Sequence, residues 1–273
     1  MLKDITLGQY FPGDSPLHRA DPRVKIILTV MYITGVFMAK NVWSFVFVVA
    51  FTAAMVAISR IPVRIVLRGM KPLLYIIAFT AVINIFWTKG DNLLFEWRFI
   101  HIYAEGLQFA ALMIVRIVAL LAGTGVVLTY TTSPIALTDG LERLLGPLKK
   151  IRVPVHEFSM MMTIALRFIP TLIEETDKIM SAQKARGSSF DSGSLPERAK
   201  ALIPVMIPLF VSAFRRADDL AVAMECRCYR GDVGRTRMTE LHMKPLDWAL
   251  LILFAAFIAG TVVINIFAPG FSI

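Results

Sequence analysis

Five apolar runs constrain this chain more than any other feature: about Val24 to Ala39, Val42 to Ser59, Pro72 to Thr88, Leu107 to Thr131 and Leu246 to Phe267. A helix needs roughly 20 mostly apolar residues to cross a bilayer, slightly fewer where flanking cations reach back to the interface. At 56% hydrophobic over 273 residues, with mean hydropathy +0.66, the chain is too apolar for a water-soluble globule. The first three runs are short and call for local thinning or snorkelling at their ends. The expected fold is an all-α integral membrane protein with about five transmembrane helices and a cytoplasmic platform of three helices, two of them long and crossing.

The formal charge of +9 is distributed to set orientation. With a cytoplasmic amino terminus, the inner segments carry Lys3, Arg19, Arg23 and Lys25, then Arg60, Arg64, Arg68 and Lys71, then seventeen cations from Arg143 to Lys244, which is 25 of the 29. The outer loops keep Lys40, Lys89 and Arg98, and Arg116 stays inside a span. Lys and Arg accumulate on the cytoplasmic side of membrane proteins. The expected topology is therefore amino terminus inside, five crossings and carboxyl terminus outside, with Trp43, Trp87, Trp97 and Trp248 near the interfaces. The excess base is accounted for by the membrane and implies no nucleic acid. A polar stretch of more than twenty residues precedes the first apolar run and no small-residue cleavage site follows it, so no removable signal is expected.

The organisation is lopsided: residues 1–23 as an inner amino-terminal segment, 24–131 as a four-helix bundle, 132–245 as a long inner block and 246–273 as the last span with its outer end. Within the inner block, a short helix is expected from Thr132 to Lys150, capped by Ser133 with Pro134 in its first turn and ended or bent at Gly146-Pro147. A second runs from about Pro154 to Lys184, with Pro170 placed to kink it. After a Gly- and Ser-rich turn from Gly187 to Ser194, a third runs from about Leu195 to Arg230, with Pro204 and Pro208 one turn apart. Both long helices begin apolar and end polar.

Each polar end carries an arginine between small residues: Ala185-Arg186-Gly187 and Cys226-Arg227-Cys228. Small neighbours leave a guanidinium uncrowded, so a partner surface offering carboxylates or carbonyls can meet its fork of donors closely. A single such tripeptide is also an ordinary helix carboxyl terminus, with a cation on the dipole and a glycine cap; the repetition argues for more. The two cysteines form no disulfide framework, and His18, His101, His156 and His242 offer no ligand spacing with them, so no metal site is expected.

The amino-terminal GQYFPGDSPLHRADPRVKI, from Gly8 to Ile26, together with the two X-Arg-X tripeptides, resembles the transmembrane T subunit of energy-coupling-factor (ECF) transporters over nearly the whole chain. The second tripeptide departs from that family's commoner Ala-Arg-Gly by its flanking cysteines. The resemblance implies a non-catalytic scaffold in a prokaryotic plasma membrane, joining two ABC-type ATPase subunits to a substrate-binding membrane subunit specific for a vitamin or a transition-metal ion. ATP and Mg would be held by the partner ATPases, with no cofactor on this chain. Arg186 and Arg227 with their flanks would enter grooves on the two motors. A face lined by Met160, Met161, Met162, Phe168, Met206 and Phe210 would receive the substrate subunit, Met and Phe making an adaptable surface; each of these residues fits a plain core position equally.

Other polar residues carry two readings. Arg116, at mid-span, is either a functional intramembrane charge or a structural partner of a backbone carbonyl, and Asn84 is a weaker case. Asp14, His18, Arg19, Asp21 and Arg23 are placed to pin the amino-terminal segment by hydrogen bonds. Two other function classes stay open: a permease with its own substrate path, and an integral membrane transferase using Asp218-Asp219 or Asp139. The acidic motifs are solitary where Mg²⁺ chemistry on a diphosphate needs pairs, and no G-x-x-x-x-G-K-[ST] is present for ATP binding.

Overall fold

The computed structural model describes residues 10–88, 92–97, 100–188, 190, 194–231 and 241–267. Gly8, Lys3, Lys89, Arg98, the middle of the 187–194 turn, Arg235, Arg237 and the end beyond Phe267 lie outside the described residues, as does the Trp97 side chain. The chain divides into two compact units, one within Gly8–Arg143 and Leu241–Ile273, the other holding Leu144–Glu240 with Met1–Leu7. The short platform helix thus falls with the bundle, and the second unit is built from the two long helices.

The bundle unit starts with a one-turn helix α1 (Pro16–Arg19), followed by α2 (Pro22–Met38) and α3 (Val42–Ser59). Then come α4 (Val63–Met70), a 3₁₀ turn over Lys71–Leu73, α5 (Leu74–Trp87), a small antiparallel hairpin of β1 (Leu93–Trp97) and β2 (Ile100–Tyr103), and α6 (Ala104–Thr124). α7 (Pro134–Leu144) leads out of this unit, and a last helix, Pro245–Phe267, returns to it. The two-stranded hairpin is the sole departure from an all-helical fold among the described residues.

Four segments are long and apolar enough to cross a membrane: Val42–Ser59, Val63–Trp87, Ala104–Thr129 and Pro245–Phe267. The first expected span coincides with α2, which is not among the four: its 17 residues reach about 25 Å at 1.5 Å per residue, short of a typical hydrocarbon core. The third expected span, begun at Pro72, is corrected: helix runs from Val63, and Pro72 sits inside a 3₁₀ turn where its missing N–H is absorbed by local tightening instead of a break. The fourth ends in a π turn over Gly125–Thr129, closed by Tyr130 N–H donating to Gly125 O at 2.8 Å.

The helices of this unit approach closely. Tyr32 of α2 is fully buried, its hydroxyl hydrogen-bonded to Thr52 Oγ1 (2.6 Å) and donating to Ala119 O (2.8 Å), and its ring lies against Gly123, where a Cβ would come within 2.3 Å. Gly35 likewise gives room to Phe257, with a Cβ separation of 2.4 Å. Phe51 stacks on Phe257 at 4.1 Å between centroids and meets Phe254 edge-on, so aromatic packing joins α2, α3 and the last helix. Trp43, Trp87 and Trp248 are exposed at helix ends.

Buried charge locks the same unit. Asp247, wholly buried, accepts from the backbone N–H of Lys244 (2.7 Å) and of Asp21 (2.9 Å), capping the last helix while holding the entry to α2. Lys25, 2% exposed, donates to Thr131 O (2.8 Å) and His18 O (3.2 Å). His18 contacts Ser15 Oγ (2.7 Å) and Phe11 O (3.0 Å), Asp21 caps α2 through Arg23 N–H, and Arg23 donates to Leu241 O. Asp14 and Arg19 pair with each other at the surface.

In the second unit a 3₁₀ segment over Gly146–Ile151 precedes α8 (Val155–Ala185), which holds Pro170, and α9 (Leu195–Cys226), which holds Pro204 and Pro208. The helix Pro245–Phe267 is α10 in chain order.

Candidate functional site

The two arginines occupy the same place in the same motif. Arg186 caps the carboxyl end of α8 at φ −87°, ψ 7°, and Arg227 caps α9 at φ −91°, ψ 12°. The next residue is left-handed in both, Gly187 at φ 90° and Cys228 at φ 59°. Two backbone bonds then close each end: Gly187 N–H to Lys184 O and Ser188 N–H to Gln183 O, both 3.0 Å, against Cys228 N–H to Glu225 O at 2.9 Å and Tyr229 N–H to Met224 O at 3.0 Å. This paired 5→2 and 6→1 closure is the Schellman motif. It satisfies the last carbonyls with backbone alone, so neither guanidinium is needed as a cap.

Ala185, Arg186, Gly187, Cys226, Arg227 and Cys228 are all exposed, and both cysteines are free. Among the described residues neither Arg186 nor Arg227 makes a side-chain hydrogen bond or ion pair. Two such cations at helix ends, presented without internal partners, suit charge-assisted binding of an acidic or carbonyl-rich surface.

A clamp missed by sequence reasoning ties the two helices together. Arg216 Nη2 of α9 donates to Glu175 Oε2 of α8 at 3.0 Å. A hydrogen bond from Ser212, and then the Arg216 charge, hold the Glu175 carboxyl below its ordinary value against the opposing push of partial burial. Glu175 lies about ten residues before the end of α8 and Arg216 about twenty-one after the start of α9, unequal distances that an in-register hairpin does not produce. From the clamp each tip is eleven residues on, Glu175 to Arg186 and Arg216 to Arg227, so the two arms are each about 16 Å long. The visible signal was two opposite charges at equal spacing from the two arginines. The Ser194-x-x-Glu197 start of α9 was also legible, Glu197 accepting from Ser194 N–H at 2.9 Å.

Of the apolar face, Met161, Met162, Met206 and Phe210 are exposed and Met160 and Phe168 half-buried. Leu202, Ile203, Ile207, Val211 and Phe214 extend the exposed part along α9. Arg116 is a carbonyl partner: its Nη2 donates to Ala39 O at 2.7 Å, at the end of α2, and its guanidinium stands 5.1 Å from the Phe45 ring centroid. Asn84 bonds back to Thr80 O of its own helix.

A family model described as CbiQ, cobalt transport protein, matches residues 13–240. The energy-coupling factor transporter transmembrane protein EcfT of Ruminiclostridium cellulolyticum is 56% identical over 247 residues, covering 90% of this chain and 92% of the relative. The chain belongs to the EcfT/CbiQ family. Further EcfT relatives include that of Acidaminococcus fermentans, 51% identical over 94% of this chain and 96% of its own length, and that of Bacillus subtilis, 45% identical over 92% and 95%. The family match spans both arginine tips and the clamp.

Proposed function

We propose that this EcfT-family membrane protein is the coupling subunit of an ECF-type importer, and that Arg186 and Arg227 are its handles for two ABC-type ATPase subunits. The observation that carries the proposal is the repeated tip: two arginines on the same Schellman closure, equally far from one interhelical clamp and without internal partners. Two like sites at fixed separation suit two like partners. In this reading the amino terminus and both tips face the cytoplasm, the side that the Lys and Arg distribution favours. When the motors close on ATP and Mg, their movement tilts α8 and α9 about the clamp. The exposed Met161, Met162, Met206 and Phe210 carry that tilt to a separate substrate-binding membrane subunit, which selects the vitamin or related micronutrient. The chain itself catalyses nothing in this scheme.

The test is charge reversal of both arginines, Arg186→Glu with Arg227→Glu, in the assembled complex. Loss of ATPase-subunit copurification and of substrate uptake, with the membrane subunit still inserted, is the expected result. Normal assembly and uptake in the double variant would remove the proposal.

A further inference from the structure

Between Asp21 and Asp91 the sequence contains no carboxylate side chain, yet Arg60, Arg64, Arg68 and Lys71 fall within it. All four are exposed, and none has an ion-pair partner among the described residues. Their placement on α4 is ordered. At about 100° per residue, Ile65, Val66, Gly69 and Met70 form one side of the helix. Val66 is buried there in a cluster with Leu17, Ile61, Ala122, Val126 and Tyr130, and Ile65 and Met70 pack against it. The opposite side has two adjoining strips: Val63 and Leu67, one turn apart and 58% and 60% exposed, and beside them Arg64, Arg68 and Lys71.

An exposed aliphatic strip next to an unneutralised basic strip is the pattern of a helix lying at a membrane interface, apolar residues toward acyl chains and cations among headgroups. Continuity fixes the depth: α4 runs through the 3₁₀ turn directly into the apolar α5, whose Leu74, Tyr75 and Ile76 are exposed, so α4 adjoins the end of a span. Arg60 adds a fourth cation at the carboxyl cap of α3. We propose that α4 and its flanks form a binding site for the headgroup of an anionic phospholipid, with Arg64 and Arg68 as the principal phosphate ligands and Leu67 as the acyl-chain anchor. Arginine suits this role because its planar fork bonds phosphate oxygens bidentately. The site lies in the bundle unit and is independent of the ATPase handles.

The full-length protein, assembled with its partners, would be exchanged into nanodiscs of phosphatidylcholine with about a quarter phosphatidylglycerol, and its retained lipid quantified by mass spectrometry after mild detergent extraction. Wild type is expected to retain phosphatidylglycerol preferentially, and raised salt to weaken that preference. Each cation at an anionic surface contributes about five-fold, so Arg64→Gln with Arg68→Gln should lower the preference roughly 25-fold, and Arg68→Gln alone about five-fold if the double variant does not insert. Leu67→Ser should lower retention of both lipids, and Arg152→Gln, an exposed arginine outside α4, neither. Unchanged preference in the α4 variants overturns the site. So does loss of a protein partner with lipid preference intact, which would assign the basic strip to a protein surface.

Discussion

Cys228 holds a left-handed backbone conformation in which a side chain is strained by about 1–2 kcal/mol, whereas Gly187 holds its counterpart without strain. Gly187→Ala should therefore fray the end of α8, speeding hydrogen exchange at the Ser188 and Gly187 amides about five-fold for each 1 kcal/mol lost. Cys228→Gly should act in the opposite sense at Tyr229. Equal exchange in variant and parent would mean the closure tolerates a Cβ. At the same scale Asp247→Ala orphans the Lys244 and Asp21 amides together and leaves Lys25 buried with one charge fewer nearby. A loss of about 3 kcal/mol is expected in thermal unfolding of the purified subunit. The small residues around each arginine were legible in the sequence, and so was an acid in the first turn of the last helix. Their partners were not. Asp247 meets Asp21 across 226 positions, and only the folded chain brings them together.

At the scale of elements, the Glu175–Arg216 clamp with Ser212 ties α8 to α9. The Glu175 carboxyl titrates below its ordinary value in the folded protein, so the clamp's contribution is complete above the unfolded carboxylate range, near pH 4.3, and is lost as pH falls through the depressed folded value. Distances between spin labels on Ala185 and Cys226 should accordingly stay constant from pH 7 to about 5 and broaden only once pH has fallen below the unfolded carboxylate range. Arg216→Gln should give the broadened distribution already at pH 7, and a distribution unaffected by either change would show that packing alone holds the two helices together. Both long helices and their ends could be read from apolar periodicity, Ser194, Glu197 and the two arginine tripeptides. The clamp was harder to read, because each partner taken alone looks like an ordinary charge on a polar helix end. α4 was missed for another reason: its arginines lower local hydropathy enough to hide a continuous helix from Val63 to Trp87. The π turn over Gly125–Thr129 is closed by Tyr130, whose ring leaves no room for a side chain at Gly125: a Cβ there would come within 2.9 Å of it.

For the whole molecule, two like tips on one pair of helices predict a bivalent assembly. When two contacts are held on one frame, the second forms at a high effective concentration, and joint affinity exceeds either contact by about 10²–10⁴-fold. Arg186→Glu alone or Arg227→Glu alone should thus leave one motor grip intact and reduce affinity for the paired ATPase subunits by about 10²-fold, while still allowing copurification at high concentration. Titration of detergent-solubilised complexes, with the mass of the species measured directly, distinguishes a 1:1 remnant in each single variant from the absence of complex in the double variant. A single substitution that abolishes both contacts would place the two arginines in one shared site instead of two. A single substitution without effect would exclude that tip as a handle. Breaking the clamp by Arg216→Gln supplies the complementary case: both guanidiniums remain, but their fixed separation is lost. Each contact should then keep its own strength while the bivalent advantage falls, weakening pair binding without changing the 2:1 composition at saturation.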